Sequence, residues 1–236
     1  MAPKALIFDV DGTLAETEEL HRAAFNRVFA ARGLGWEWDR ALYRQLLKTT
    51  GGKERMKSYQ ASLPADAPRL SDEEIAALHA EKTRAYVAMM EAGEIELRPG
   101  VRDMLAAARV SGIRVAIATT TSRPNVDALI RATMGREAKE VFEVLACGDE
   151  VKAKKPAPDV YLLALKGLSL PASDCLALED SIMGLKSAQA AGIPTLVTPS
   201  SYTDDQDFSS ADFLALTLQD ALEQKLVEGL GSAVAA

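Results

Sequence analysis

Two histidines and two cysteines are all that 236 residues provide. Zn²⁺ takes nitrogen and sulfur ligands, so a zinc centre has little to be built from. Cys147 and Cys175 stand too far apart for a C-x-x-C pair and each lies beside an apolar run, which predicts buried, reduced thiols. Positive charge is short as well: 27 Lys and Arg against 34 Asp and Glu leave a net −7. That argues against nucleic acid as the main partner, and any anionic substrate must be drawn in by local positive groups. No apolar run approaches the roughly eighteen residues that a membrane span needs. The opening Met-Ala-Pro-Lys leads straight towards a first strand with no secretory pattern, so a cytoplasmic protein with no membrane partner is expected. What remains is an ordinary composition, 48% hydrophobic and 26% charged, with material for one or two domains and a sizeable core.

One stretch stands out chemically. Leu6-Ile7-Phe8 is a short apolar run of the kind buried on both faces of a parallel sheet, and Asp9-Val10-Asp11-Gly12-Thr13 follows where that strand should end. Ligands of open α/β sheets sit at the carboxyl ends of the strands. Side chains two apart on extended chain point the same way, so Asp9 and Asp11 can serve one site, and Gly12 permits a sharp turn after them.

Beyond Thr13 the pattern is helical. Thr17 is a candidate N-cap for a helix towards Ala31, with Leu20, Ala24, Val28 and Ala31 on one face beside Phe25 and Phe29. Gly33 and Gly35 end it, and Trp36 and Trp38 are expected to cover an apolar surface. A second helix is predicted near Arg40 to Leu47, stopping at Thr49-Thr50-Gly51-Gly52, and a third from Lys53. Ser71-Asp72-Glu73-Glu74 is a capping box opening a long helix to Glu91, with Ile75, Leu78, Ala85 and Met89 facing inward and His79 at the surface.

From Arg98-Pro99-Gly100 helices and strands alternate, the signature of a parallel sheet. Strands are predicted at Arg114 to Ala118, Val144 to Ala146, Cys175 to Leu178, Thr195 to Val197 and, more briefly, Ala211 to Leu216. Helices are predicted at Val101 to Val110, Pro124 to Met134, Pro158 to Lys166, Ile182 to Ala191 and Leu218 to Leu226, with a frayed tail from Gly229. The first strand thus belongs with strands that arrive much later, which makes the helical block an insertion. The expected organisation is an α/β, Rossmann-like core of residues 1–15 and 94–236 with helices on both faces of its sheet, and an all-helical domain of residues 16–93.

Phe-Asp-Val-Asp-Gly-Thr-Leu resembles the first motif of the haloacid dehalogenase superfamily, and three later segments match its remaining motifs in order. The resemblance implies a Mg²⁺-dependent phosphatase with a helical cap, in the phosphoglucomutase-like branch. It makes Asp9 the nucleophile and Asp11 the general acid and base. Thr119, with Thr120 beside it, corresponds to the phosphate-binding hydroxyl motif. Lys155, before Pro156-Ala157-Pro158-Asp159, corresponds to the lysine that meets the transferring phosphate, while Lys152 and Lys154 are expected to be solvated. Leu176-Ala177-Leu178-Glu179-Asp180 repeats the design of apolar strand followed by acids, and implies Asp180 as a metal ligand with Glu179 in support. The implied ligand set is the carboxylates of Asp9 and Asp180, the backbone carbonyl of Asp11, water and a phosphate oxygen. Such an all-oxygen set fits octahedral Mg²⁺ at about 2.1 Å.

Specificity rests on weaker matches. His21 stands where relatives in the branch also place a histidine, and Glu16 replaces an aspartate common in related phosphatases. Gly51-Gly52-Lys53-Glu54-Arg55 resembles a substrate-specificity loop, and Thr121-Ser122-Arg123 lies where a non-transferring phosphate is held. Lys53, Arg55 and Arg123 together would form a second anion site. These segments are most similar to the CbbY-type family, which hydrolyses xylulose 1,5-bisphosphate to xylulose 5-phosphate. A sugar phosphomutase of the same architecture and a non-catalytic sugar-phosphate-binding regulator are the alternatives. A small sugar phosphate is the expected partner, and a monomer the expected state.

Overall fold

Ala5–Phe8 forms strand β1, buried along its whole length, in a computed structural model that describes residues 2–49, 51–65 and 67–230. It pairs in parallel with β2 (Arg114–Ala118) on one side and β4 (Cys175–Glu179) on the other, Phe8 lying level with both Ile117 and Leu178. Outside these lie β3 (Val144–Ala146) next to β2, and β5 (Thr195–Val197) and β6 (Phe213–Leu214) beyond β4. The order β3-β2-β1-β4-β5-β6 is that of the Rossmann doubly wound sheet, whose crevice opens where the chain changes direction, between β1 and β4. Only Phe213–Leu214 of the predicted last strand pairs, at an exposed sheet edge.

Helices cover both faces of this sheet. Ala5 and Ile7 join Val160, Tyr161, Ala164 and Leu168 of one helix (Asp159–Leu168) and Ala188 of another (Ile182–Ala190) in a single buried cluster. The alternate residue Phe8 points the other way and meets Phe142 edge-on at 5.9 Å. Helices Val101–Val110 and Arg123–Met134 match their sequence signals, Gly135 ending the second. A one-turn helix at Ala138–Val141 was not foreseen, and the last helix, Leu218–Glu223, stops short of Leu226. Cys147 and Cys175 are buried and free. Burial pushes their thiols up, to about 12 and about 11, which disfavours the reactive thiolate.

The chain divides into two compact units, Met1–Thr17 with Ile95–Ala236, and Glu18–Glu94. The second unit is helical: Thr17–Ala31 (beginning at the boundary), Arg40–Leu46, Gly52–Ser62 and Asp72–Glu91. Phe25, Phe29, Trp36, Trp38, Tyr43 and Tyr59 pack as one aromatic cluster with ring centroids 4.7–6.3 Å apart, so both tryptophans are core residues. Ser71 and Glu74 form the predicted capping box. On that helix Ile75, Leu78 and Met89 are buried as the spacing predicts, but Lys82 and Tyr86 take the place expected for Ala85. Ala31 is exposed rather than inward-facing. Of the expected tail, residues 231–236 lie outside the described residues, as does Thr50 in the expected break before Gly52. Among the described residues no helix is long and apolar enough to cross a membrane.

Candidate active site

The parallel register brings the carboxyl ends of β1 and β4 side by side. The Asp9 amide donates to Leu178 O at 3.0 Å, which sets the Asp9 side chain beside Glu179 and Asp180 at the switch point. Oxygens of Asp9, Glu179 and Asp180 lie within 4.8 Å of one another, and all three residues are buried. Lys155 reaches into this group from the loop before Asp159. Its Nζ donates to Asp9 Oδ1 and to Glu179 Oε1, both at 2.6 Å, with its side chain only 6% exposed. Tyr161, fully buried, donates to the same Glu179 oxygen at 2.6 Å, and Lys155 Nζ sits 5.1 Å from the Tyr161 ring centre.

Three buried carboxylates against one ammonium leave the site short of positive charge. Burial alone would lower Lys155, yet the charges of Asp9 and Glu179 outweigh it and hold the ammonium well above its ordinary range. Burial, and then the charge of Asp9, push Glu179 up to about 7 in spite of Lys155. Burial followed by Asp9 and Glu179 drives Asp180 well upward too. A divalent cation would relieve this surplus, and the oxygen-only donors suit Mg²⁺. The backbone is shaped around the group: Gly12 has φ 85°, and a Cβ there would stand 2.2 Å from Asp180 Oδ2. At Gly184 a Cβ would meet the Glu179 carboxylate at 1.9 Å. Neither position has room for a side chain.

Asp11 is held separately. Its Oδ1 accepts from Thr17 Oγ1 at 2.6 Å, so Thr17 is not the helix cap expected of it but the first helical residue, turned towards Asp11. Next to β2, Thr119 is buried and its Oγ1 accepts from the Thr121 amide at 3.2 Å. Thr120 O accepts from the exposed Lys154, while Lys152 is solvated as expected.

A model of the haloacid dehalogenase-like hydrolases matches residues 3–192. The chain belongs to this family. It is a phosphatase of that family, built on its Rossmann-like core. Protein CbbY of Rhodobacter capsulatus is 56% identical over 228 residues, covering 97% of this chain and 99% of the relative. A phosphorylated carbohydrates phosphatase of Thermotoga maritima is 32% identical over 191 residues, 80% of this chain and 82% of that one. Among solved structures, a mutant CbbY from Rhodobacter sphaeroides in complex with xylulose-(1,5)bisphosphate is 51% identical, with a TM-score of 0.80 over 92% of this chain and 96% of that chain.

Several residues expected to meet substrate are engaged within the hydrolase chain itself. Arg123 Nε pairs with Asp127 at 3.2 Å and its amide donates to Asp149 Oδ1 at 3.3 Å. Thr121 Oγ1 accepts from Asn125, and Ser122 precedes the helix without a side-chain cap bond. Glu16 pairs with Arg98 at 3.2 Å and accepts from Ser201 Oγ at 2.8 Å, which gives a structural account of an acid the sequence left unexplained. Within the helical unit Lys53 is exposed beside Gly52, whereas Arg55 is buried, donating from Nη1 to Tyr43 Oη at 2.9 Å. His21 stacks on Tyr86 at 4.0 Å, and its Nδ1 accepts from Lys82 Nζ at 2.6 Å. Burial, then Lys82, Arg55 and His79, hold His21 well below its ordinary value. His79 is half-buried against Gly52 rather than a surface residue.

Sequence reasoning passed over Tyr161, Ser200 and Thr203 altogether and noted Arg98 only as punctuation. Thr203 Oγ1 donates to Asp180 O at 2.6 Å and stands 3.4 Å from Asp180 Oδ2, and the Ser200 amide donates to the same Thr203 oxygen at 2.9 Å. The one available signal was the Tyr in Pro-Asp-Val-Tyr, placed to return from a helix onto β4.

Proposed function

We propose that this chain is a Mg²⁺-dependent phosphatase that hydrolyses xylulose 1,5-bisphosphate to xylulose 5-phosphate through an aspartyl-phosphate. The observation that carries the reading is Lys155 held between Asp9 and Glu179 beside Asp180, in a chain 56% identical to CbbY over nearly its full length. Asp9, Asp180 and Glu179, with the Asp11 carbonyl, would hold the metal. When bound, Mg²⁺ supplies the charge neutralisation that lets a carboxylate approach an anionic phosphate.

In the first half-reaction an Asp9 carboxylate oxygen attacks phosphorus while the bond from phosphorus to the sugar oxygen breaks. Protonated Asp11 gives its proton to that leaving oxygen, and the sugar departs as an alcohol. In the second, the Asp11 carboxylate takes a proton from water, whose oxygen attacks the same phosphorus; the bond to Asp9 breaks and inorganic phosphate leaves. Lys155 offsets charge on Asp9 and on the transferring group, and Thr119 and Thr120 offer donors at the end of β2. Thr17 fixes the orientation of Asp11. Residues 16–93 form the cap domain, and its Glu16, His21, Gly52, Lys53 and Arg55 together with the core residues Thr121, Ser122 and Arg123 set specificity. A monomer in the cytosol completes the proposal, in keeping with two buried free thiols.

Sugar mono- and bisphosphates presented with Mg²⁺ and assayed for inorganic phosphate test the reading. Xylulose 1,5-bisphosphate is expected to be the best substrate and xylulose 5-phosphate the product, with activity abolished by EDTA and restored by Mg²⁺. Asp9→Asn, nearly isosteric, should fold and lose several orders of magnitude of turnover. Full activity in metal-free enzyme, or about a tenth of kcat surviving in Asp9→Asn, would refute it. Interconversion of sugar monophosphates without phosphate release would favour a mutase instead.

A further inference from the structure

Arg98 lies in the core unit, just before the helix Val101–Val110, with a side chain only 9% exposed. Every face of its guanidinium is used. Nη1 donates to Gly12 O and, at 2.8 Å, to Thr198 O; Nη2 donates to Pro199 O at 2.7 Å; Nε stands 3.2 Å from Glu16 Oε1. Its own backbone amide donates to Leu14 O at 2.8 Å. Glu16 in turn accepts from Ser201 Oγ. One side chain therefore binds two loops: residues 12–16, which follow Asp11, and residues 198–201, which follow β5.

Both loops bear on the reacting groups. The first carries Asp11 directly before the anchored Gly12 carbonyl, and it leads into Thr17, whose hydroxyl holds the Asp11 carboxylate. The second carries Ser200, whose amide donates to Thr203 Oγ1 at 2.9 Å, and Thr203 Oγ1 donates to Asp180 O at 2.6 Å. The first loop also meets Asp180 itself at Gly12, whose missing Cβ leaves room for Asp180 Oδ2. We infer that Arg98 is a positioning residue that fixes Asp180 relative to Asp11, by tying the Gly12 carbonyl to the Thr198 and Pro199 carbonyls in one planar fork. This inference rests on the phosphatase reading above.

Arginine is needed here for its shape. Three carbonyls and a carboxylate spread around one plane match a fixed fork of five N–H donors, whereas a lysine ammonium offers three donors from one point. Lysine would keep the charge facing Glu16 and leave at least one of the carbonyls without a donor. Arg98→Lys thus separates geometry from charge. As a control, Arg114→Lys breaks another fork, to Glu143 and Leu168 O at the opposite end of β2, remote from the site.

The experiment measures kcat and KM on p-nitrophenyl phosphate, Mg²⁺ affinity by calorimetry without substrate, and thermal stability for wild type, Arg98→Lys and Arg114→Lys. For Arg98→Lys, kcat should fall on the order of 100-fold with KM nearly unchanged, as for an ångström-scale misplacement. Mg²⁺ affinity should weaken about tenfold or more, the usual effect of losing an outer hydrogen-bond partner of a metal site. Arg114→Lys should lose stability alone. In Arg98→Ala, millimolar guanidinium should restore part of the lost kcat by filling the vacated fork. Arg98→Lys holding kcat and Mg²⁺ affinity within about threefold of wild type, or changing only stability as Arg114→Lys does, would overturn the inference. If wild type releases no phosphate from any ester, the phosphatase reading falls, and the calorimetric comparison still decides whether Arg98 positions Asp180.

Discussion

Replacing Lys155 with methionine keeps the apolar stem and removes one charge. At 2.6 Å, with an effective dielectric near 20, each contact of Nζ with Asp9 and Glu179 is worth about 6 kcal/mol of Coulomb attraction. Much of that offsets the desolvation of an ammonium whose side chain is 6% exposed. The net loss expected on breaking such a buried pair is about 3–5 kcal/mol, because two carboxylates are left without a counter-charge. Urea unfolding in EDTA should show this loss directly. Mg²⁺ should recover more stability in Lys155→Met than in wild type, since a cation would then replace the missing ammonium at the cluster. Turnover of p-nitrophenyl phosphate should drop about 100- to 1,000-fold, in line with removal of a donor to developing charge. A stability loss under about 1 kcal/mol in EDTA, or an equal Mg²⁺ response in both proteins, would refute the charge-surplus account of this site.

Two other outcomes can be checked. Arg123→Ala should lose on the order of 2 kcal/mol of transition-state stabilisation on a bisphosphate and much less on p-nitrophenyl phosphate. Kinetics on both substrates gives the double difference, and equal losses would mean that Arg123, paired with Asp127, only supports the core. For His21 the folded pKa lies well below the ordinary value, so below about pH 6.5 the unfolded chain binds a proton that the native protein does not. Stability should therefore fall on acidification from that point, and His21→Gln should flatten this part of the profile. Thermal midpoints compared across about pH 5 to 7.5 test it, and parallel curves for the two proteins would count against it.

The sheet and the buried carboxylate cluster were legible because local pattern and site coincide. Each buried strand is a run of apolar residues, and the acids stand immediately after β1 and β4, so finding the strand ends finds Asp9, Glu179 and Asp180. Lys155 was legible through its neighbours Pro156 and Pro158, not through its charge, which looks like that of Lys152 and Lys154. What was hidden depends on reach between distant segments. Arg98 meets Thr198 and Pro199 only after β5 is in place, and Tyr161 meets Glu179 only after its helix folds back on β4. The helical unit misled for a related reason: Ala85 was expected to face inward, but Lys82 is buried there because Phe25, Tyr86 and His21 surround its ammonium. Thr17 carries the usual chemistry of a cap and spends its hydroxyl on Asp11 instead.

The place of β1 between β2 and β4 also governs how the protein comes into being. During synthesis the segment Ala5–Phe8 is made early, yet one pairing partner begins at Arg114 and the other at Cys175. At typical translation speeds of about 5–20 residues per second, the second partner follows after roughly 10–30 seconds. Until Arg114 is made, the apolar run Ala5–Phe8 and Asp9 beside it have no strand to join, and until Cys175 is made they lack the second partner. Contacts this remote along the chain slow folding and lengthen exposure to aggregation. The helical unit, whose partners are all close in sequence, can form meanwhile. A nascent chain halted before β4 is therefore expected to hold a folded helical unit and no assembled carboxylate cluster, so chemistry is the last property this enzyme acquires.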